Sequence, residues 1–148
     1  MEIRIEEIEA QPVASIRIET TQSEIADKIG KLLREIVPIV EEHMNGAPLA
    51  VFHAWEGDRG EMEVAVPVEA SAQATDRIQR HDLPGGRAVV ATHIGPYDQL
   101  LASWSTINAW MKERGLEARS APWEQYISDC SVTPANELVT RIVLPIND

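Results

Sequence analysis

Basic residues, paired cysteines and long apolar runs are what this chain lacks. Lys and Arg total 13 against 24 Asp and Glu, for a formal net charge of −11. Phosphate binding needs clustered Lys and Arg, and Arg77, Arg80 and Arg87 are spread along a linker-like stretch. Direct contact with nucleic acid is therefore not expected. No apolar run approaches the roughly 20 residues of a membrane-spanning helix, so no membrane partner is expected either. The charged, alternating start Met1-Glu-Ile-Arg-Ile-Glu-Glu7 reads as a strand rather than a signal peptide, and the cytoplasm follows as the expected location. The single cysteine, Cys130, excludes an internal disulfide and cannot alone hold a structural zinc. Beside Asp129 it has no cationic surroundings to lower its pKa, and it reads as unreactive. The four His are scattered with no ligand spacing, so no metal is expected. No Gly-rich phosphate loop is present, and no cofactor is expected. Ser/His/Asp and Cys/His arrangements cannot be assembled from the sequence with any specificity.

What remains is a chain of 148 residues, enough for one domain with a sizeable core. Its acidity favours cationic over anionic small molecules only weakly, because most surface charge serves solvation. Ile3, Ile5 and Ile8 start an alternation that Val13-Ala-Ser-Ile-Arg-Ile18 continues past Pro12, which reads as one strand bent at Gln11-Pro12. Ser23 or Thr21 is the expected N-cap of a helix, with Glu24 and Asp27 in its first turn. Ile25, Ile29, Leu32, Leu33, Ile36, Val40 and Met44 follow at helical spacing. Pro38 is expected to kink that helix or end its regular part near Ile36, and Asn45-Gly46 to cap it. Strands are expected over 49–55 and 61–68, joined by a turn at 57–60. The polar, small residues 69–77 read as a connector.

The second half repeats the order. Strands are expected over 78–83 and 87–94, with a turn at 84–86. A turn over Gly95-Pro-Tyr-Asp98 leads into a helix, with Asp98 the candidate N-cap. Its apolar stripe is Leu100, Leu101, Trp104, Ile107, Trp110 and Met111, and Arg114-Gly115 ends it. A strand over 121–127, a loop over 129–136 and a strand over 137–146 complete the chain. The expected fold class is α+β: two pseudo-symmetric βαββ repeats, about 1–68 and 78–148 of one domain, with a curved antiparallel sheet, two long helices and a central groove. Val13–Ile18 aligns with Val89–Ile94, and Val64-Ala-Val-Pro-Val68 with Ile142-Val-Leu-Pro-Ile146. Aligning Phe52-His-Ala-Trp55 with Trp123-Glu-Gln-Tyr126 sets His53 opposite Glu124 and Trp55 opposite Tyr126.

Ala121-Pro-Trp-Glu-Gln-Tyr-Ile127 carries the most informative residue, a lone carboxylate among aromatics. Strand alternation puts Glu124 and Tyr126 on one face and Trp123 on the other. Burying a carboxylate is costly unless a partner compensates it. That partner can be a cationic ligand, an Arg such as Arg141, a hydrogen-bond network or solvent. All seven aromatics lie between Phe52 and Tyr126; Trp104 and Trp110, on a helical stripe, read as core. His53 is a candidate wall residue or general base, while His43 and His81 read as surface residues. Tyr97 belongs either to the turn or to the ligand site.

His93-Ile-Gly-Pro-Tyr97, a helix with Trp110, Pro122-Trp-Glu-Gln-Tyr-Ile-Ser-Asp129 and Glu137-Leu-Val-Thr-Arg-Ile-Val-Leu-Pro-Ile146 occur in that order. Together they resemble the GyrI-like small-molecule-binding family, whose fold also serves as the effector-binding domain of AraC-type and MerR-type regulators. The resemblance covers essentially the whole chain and is strongest over 88–146. It implies two βαββ repeats around an aromatic pocket, with the acid at the position of Glu124 neutralising cationic, lipophilic compounds. It further implies a stand-alone form, since the first strand starts at residue 3 and leaves no room for DNA-binding helices. Cys130 departs from the family, which usually has Pro after the Asp.

Three readings follow. The first is a binder of hydrophobic, cationic drugs or toxins through Glu124, Tyr126, Trp123, Trp55, Tyr97, Phe52 and His53. The second, which the resemblance also implies, is a hydrolase of cyclopropane-type genotoxins with Glu124 and Tyr126 as catalytic groups. The third is an interaction module of the gyrase-inhibitor type, with a protein target or a homodimer as partner. Sequence does not separate the first two, because both need a buried acid among aromatics.

Overall fold

Residues 1–21 depart first from the sequence reading. The computed structural model, which describes residues 1–70, 72 and 74–148, shows two strands there instead of one bent strand. In chain order the elements are β1 (Glu2–Ile8), β2 (Gln11–Thr21), α1 (Ile25–Val40), β3 (Leu49–Glu56), β4 (Arg59–Pro67) and β5 (Gln79–Leu83). They continue with β6 (Gly86–Ile94), α2 (Leu100–Glu113), β7 (Trp123–Tyr126) and β8 (Val139–Pro145). The fold is α+β, with antiparallel strands and two helices. No helix among the described residues is long and apolar enough to cross a membrane. The expected connector over 69–77 includes residues 71 and 73, which lie outside the described residues.

The chain forms two compact units, Met1–Ile8 with Gly86–Asp148, and Glu9–Gly85. β1 leaves its sequence neighbours and pairs with β6, from Glu2↔Thr92 to Ile8↔Gly86. β6 pairs with β8, and β8 with β7. In the other unit β4 lies between β3 and β2, and β5 pairs on the far side of β2, from Gln11↔Leu83 to Ser15↔Gln79. Pro12 sits where the chain passes from β1 to β2. It can give no ladder N–H, which suits a strand beginning and not a strand middle.

The helices form for reasons the periodicity carries. On α1, Leu32, Ile36 and Val40 recur every four residues and are buried. Each buried side chain of that size contributes about 1.5–3 kcal/mol. That outweighs the roughly 1 kcal/mol of a missing cap: no side-chain cap bond is made, and a 3-10 turn over Gln22–Glu24 leads in instead. Pro38 lies inside the helix without ending it at Ile36, and a 3-10 turn over Glu41–His43 extends it. A proline this near the end forfeits one hydrogen bond, not a turn of them. Gly46 is not in a positive-φ conformation, so the expected cap at Asn45-Gly46 is absent. Gly115, at φ 67°, does end the second helix as expected. Asp98 does not cap it; a 3-10 turn over Tyr97–Gln99 precedes α2.

In the first unit α2 packs Leu100, Ile107 and Met111 onto Val89 and Ala91 of β6 and Ile142 and Leu144 of β8. That contact defines the helix-facing side of the sheet, and residues in register with it look toward α2.

Candidate functional site

Glu124 pairs with Ile142 and Tyr126 with Thr140, and these in turn pair with Ala91 and His93 on β6. Cross-strand partners share a face, so Glu124 and Tyr126 look toward α2. There the Trp104 Nε1–H donates to Glu124 Oε2 at 2.5 Å. The Tyr126 hydroxyl donates to Oε1 at 2.9 Å. The Tyr97 ring stands edge-on to Tyr126, with centroids 5.7 Å apart and planes at 74°. Glu124 is 7% exposed. No Lys or Arg pairs with it among the described residues. Arg141 points to the opposite face, 3.9 Å from Glu6.

Burial pushes the Glu124 carboxyl up, and the bonds from Trp104 and Tyr126 and the nearby His93 offset this only in part, so it stays above the usual range. Burial and the adjacent carboxylate push the Tyr126 phenol well above its usual range, so it remains a neutral donor. Burial, with Cys130, Asp129 and Glu124 near, raises Tyr97 as well. The arrangement is an acid that is costly to ionise, held by two neutral donors and bordered by aromatic rings. It can accept a proton, or hold a cation that replaces the missing counter-charge.

Of the other expected site residues, Trp123 lies in this unit and Phe52, His53 and Trp55 in the other. Trp123 is buried on the face opposite Glu124, as alternation requires, and so is not part of this cluster. Phe52, His53 and Trp55 belong to the unit Glu9–Gly85. A bulge between Phe52↔Met62 and Trp55↔Gly60 adds one residue to β3, which brings Phe52 and Trp55 to one face, ring centroids 6.4 Å apart. His53 is left on the other face. Its Nε2 lies 2.9 Å from Glu63 Oε1, so it neighbours a carboxylate of its own unit. Glu63 is 3% exposed, receives the Ser15 hydroxyl at 2.5 Å and also bonds His81.

Trp55 needs Gly60 beneath it. A Cβ added there would meet the indole at 2.4 Å and the Ala54 carbonyl at 2.6 Å. Gly60→Ala is expected to cost about 1–3 kcal/mol by overpacking and to shift the tryptophan emission. An unchanged melt and spectrum would refute this placement of Trp55.

Sequence reasoning missed three participants. Trp104 was read as core, although an indole N–H that is partly buried needs an acceptor, and Glu124 is the acid available. Glu63 falls within the expected strand over 61–68 with nothing to single it out, and His81 reads as a surface residue. No periodicity signals that β5 will add to β2 and bring His81 to Glu63.

The sequence matches the GyrI-like small-molecule-binding domain over residues 1–147. A search of curated proteins finds no match. Among solved structures, the EcmrR C-terminal domain superposes with a TM-score of 0.87 at 20% identity, covering 99% of this chain and 98% of that one. SAV2435 bound to tetraphenylphosphonium has a TM-score of 0.77 at 14% identity, over 99% and 94% of the two chains. A hydrolase from Listeria innocua has a TM-score of 0.65 at 12% identity, over 99% and 92%. At these identities the likenesses speak for the fold, and the match over 1–147 speaks for the family. This chain belongs to the GyrI-like small-molecule-binding domain family.

Proposed function

We propose that the protein binds lipophilic cations at Glu124. One observation carries this: a carboxylate 7% exposed, without a basic partner among the described residues, between aromatic side chains. Polar groups buried at such cost are retained where they serve a ligand. A cation offers the missing charge, and each aromatic face adds about 0.5–2 kcal/mol of cation–π attraction. A ligand reaches Glu124 by displacing Trp104, which bonds it, and Tyr97, which stands edge-on to Tyr126. Tetraphenylphosphonium, the ligand bound by SAV2435, is the natural probe.

The test is a titration with tetraphenylphosphonium followed by tryptophan fluorescence, beside its neutral analogue triphenylphosphine oxide. Saturable binding of the cation at least about tenfold tighter than of the neutral compound, about 1.4 kcal/mol, is expected. Equal affinities would sink the assignment.

A hydrolase of cyclopropane-type electrophiles is the second reading, favoured by the same raised carboxyl. Glu124 would act as general base, with Tyr126 holding it in place. Product formation from such an electrophile, abolished in Glu124→Gln, distinguishes it from binding alone.

A further inference from the structure

Beside the glutamate site the structure assembles a pair that the sequence did not suggest. His93 ends β6 and Ser103 lies in the first turns of α2, with the Ser103 Oγ 2.7 Å from His93 Nδ1. The other ring nitrogen, Nε2, is 3.0 Å from the Pro96 carbonyl oxygen. A carbonyl only accepts, so Nε2 carries the proton and Nδ1 offers its lone pair to the Ser103 hydroxyl. The tautomer is thus set by backbone. Gly95, at φ 138°, permits this, because it turns the chain so that Pro96 faces back on the imidazole. A side chain at that φ would be strained.

Both residues line a cleft of about 500 Å³ with Met1, Glu2, Ile94 and Gln99. Glu124 is not among its lining residues. His93 itself is buried, whereas Ser103 is half-exposed. A nucleophile within hydrogen-bond reach of a base, and a third group orienting the base, is the arrangement that activates a serine hydroxyl. The positive end of the α2 dipole lies at the same place and favours charge developing on an attacked carbonyl.

We propose that Ser103 and His93 form a nucleophilic dyad acting on small carboxylic esters with a short acyl chain. The Ser103 Oγ attacks the ester carbonyl carbon while its proton passes to His93 Nδ1. The acyl–oxygen bond to the leaving group then breaks, and the imidazolium returns the proton to the departing alkoxide. Water attacks the acyl-serine through the same base, which releases the acid and restores the hydroxyl. The Pro96 carbonyl accepts the hydrogen bond from Nε2–H throughout and steadies the imidazolium. Met1 and Ile94 on the cleft wall suit a short apolar acyl chain.

The experiment uses p-nitrophenyl butyrate for turnover and a fluorophosphonate for trapping, in which the serine displaces fluoride from phosphorus. Wild type should release p-nitrophenolate above the buffer rate and carry the phosphonyl adduct on the Ser103 peptide by mass spectrometry. Ser103→Ala removes one hydroxyl from a half-exposed helical position and should lose the adduct altogether. His93→Gln should acylate about 100-fold more slowly, and Ser103→Cys should retain acylation. Equal turnover and labelling in wild type and Ser103→Ala would overturn the proposal, as would an adduct on another residue. The dyad does not depend on cation binding at Glu124, which tetraphenylphosphonium reads separately in the wild type.

Discussion

Replacing Glu124 by Gln is expected to weaken tetraphenylphosphonium binding by about 30-fold or more. Losing one charge of a close, desolvated pair typically costs 2–5 kcal/mol, and about 2 kcal/mol corresponds to about 30-fold. Gln keeps the size and still accepts a bond from Trp104 or Tyr126, so the loss reports charge rather than shape. A pH dependence should accompany it. The Glu124 carboxyl lies above the usual range, and the cation prefers the ionised form. Affinity in the wild type should therefore fall as pH drops through that raised value and level off above it, whereas Glu124→Gln should show no such slope.

Stability should move the opposite way. A group with a raised folded pKa contributes stability below its ordinary value, near 4.5 for this carboxyl, and loses it as pH rises through the folded value. Near neutrality the unliganded Gln variant should thus melt higher than wild type, by about 1 kcal/mol in free energy. A variant that binds the cation as tightly as wild type, or melts lower, would contradict the assignment. Weaker binding with higher stability is the pattern expected of a site held ready for a ligand.

The second large effect concerns Glu63. Substitution by Gln leaves a buried amide among Ser15, His53 and His81, where its NH₂ meets groups that the carboxylate accepted from. Breaking a buried network of this kind costs about 2–4 kcal/mol, which for a chain of this size lowers the melting temperature by roughly 5–15 °C. Burial pushes this carboxyl up, yet the bonds from Ser15, His81 and His53 outweigh burial and the net direction is down. The sign then differs from that of Glu124. The contribution is present above the ordinary value of 4.5 and is lost as pH falls through the lower folded value. Acid unfolding curves of wild type should steepen below that point, and those of Glu63→Gln should be flatter there. A Gln variant as stable as wild type at pH 7 would show that the network contributes nothing.

Much of this is legible in the sequence alone. Leu32, Ile36 and Val40 announce α1, and Glu124 with Tyr126 on one strand face follows from alternation alone. The errors lie where distant segments choose partners. Ile3–Ile18 read as one strand because periodicity is blind to which neighbour a strand pairs with, and β1 pairs with β6. Trp55 shares a face with Phe52 through a bulge, which an alternating pattern does not reveal. His81 read as a surface residue because nothing local ties β5 to β2.

The sequence by itself determined the class of elements, the isolated acid among aromatics and the family. Each of these is set by residue types within one strand or helix, or by motifs along the chain. Only the tertiary structure decided which donors hold Glu124, why Glu63 can be buried, and that Ser103 meets His93. The first and third depend on register between β7, β8 and β6 and on where α2 crosses them, the second on register between β4, β2 and β5. Register is a property of pairs of segments, and a hydrogen bond between residues ten or twenty positions apart exists only once both have been placed.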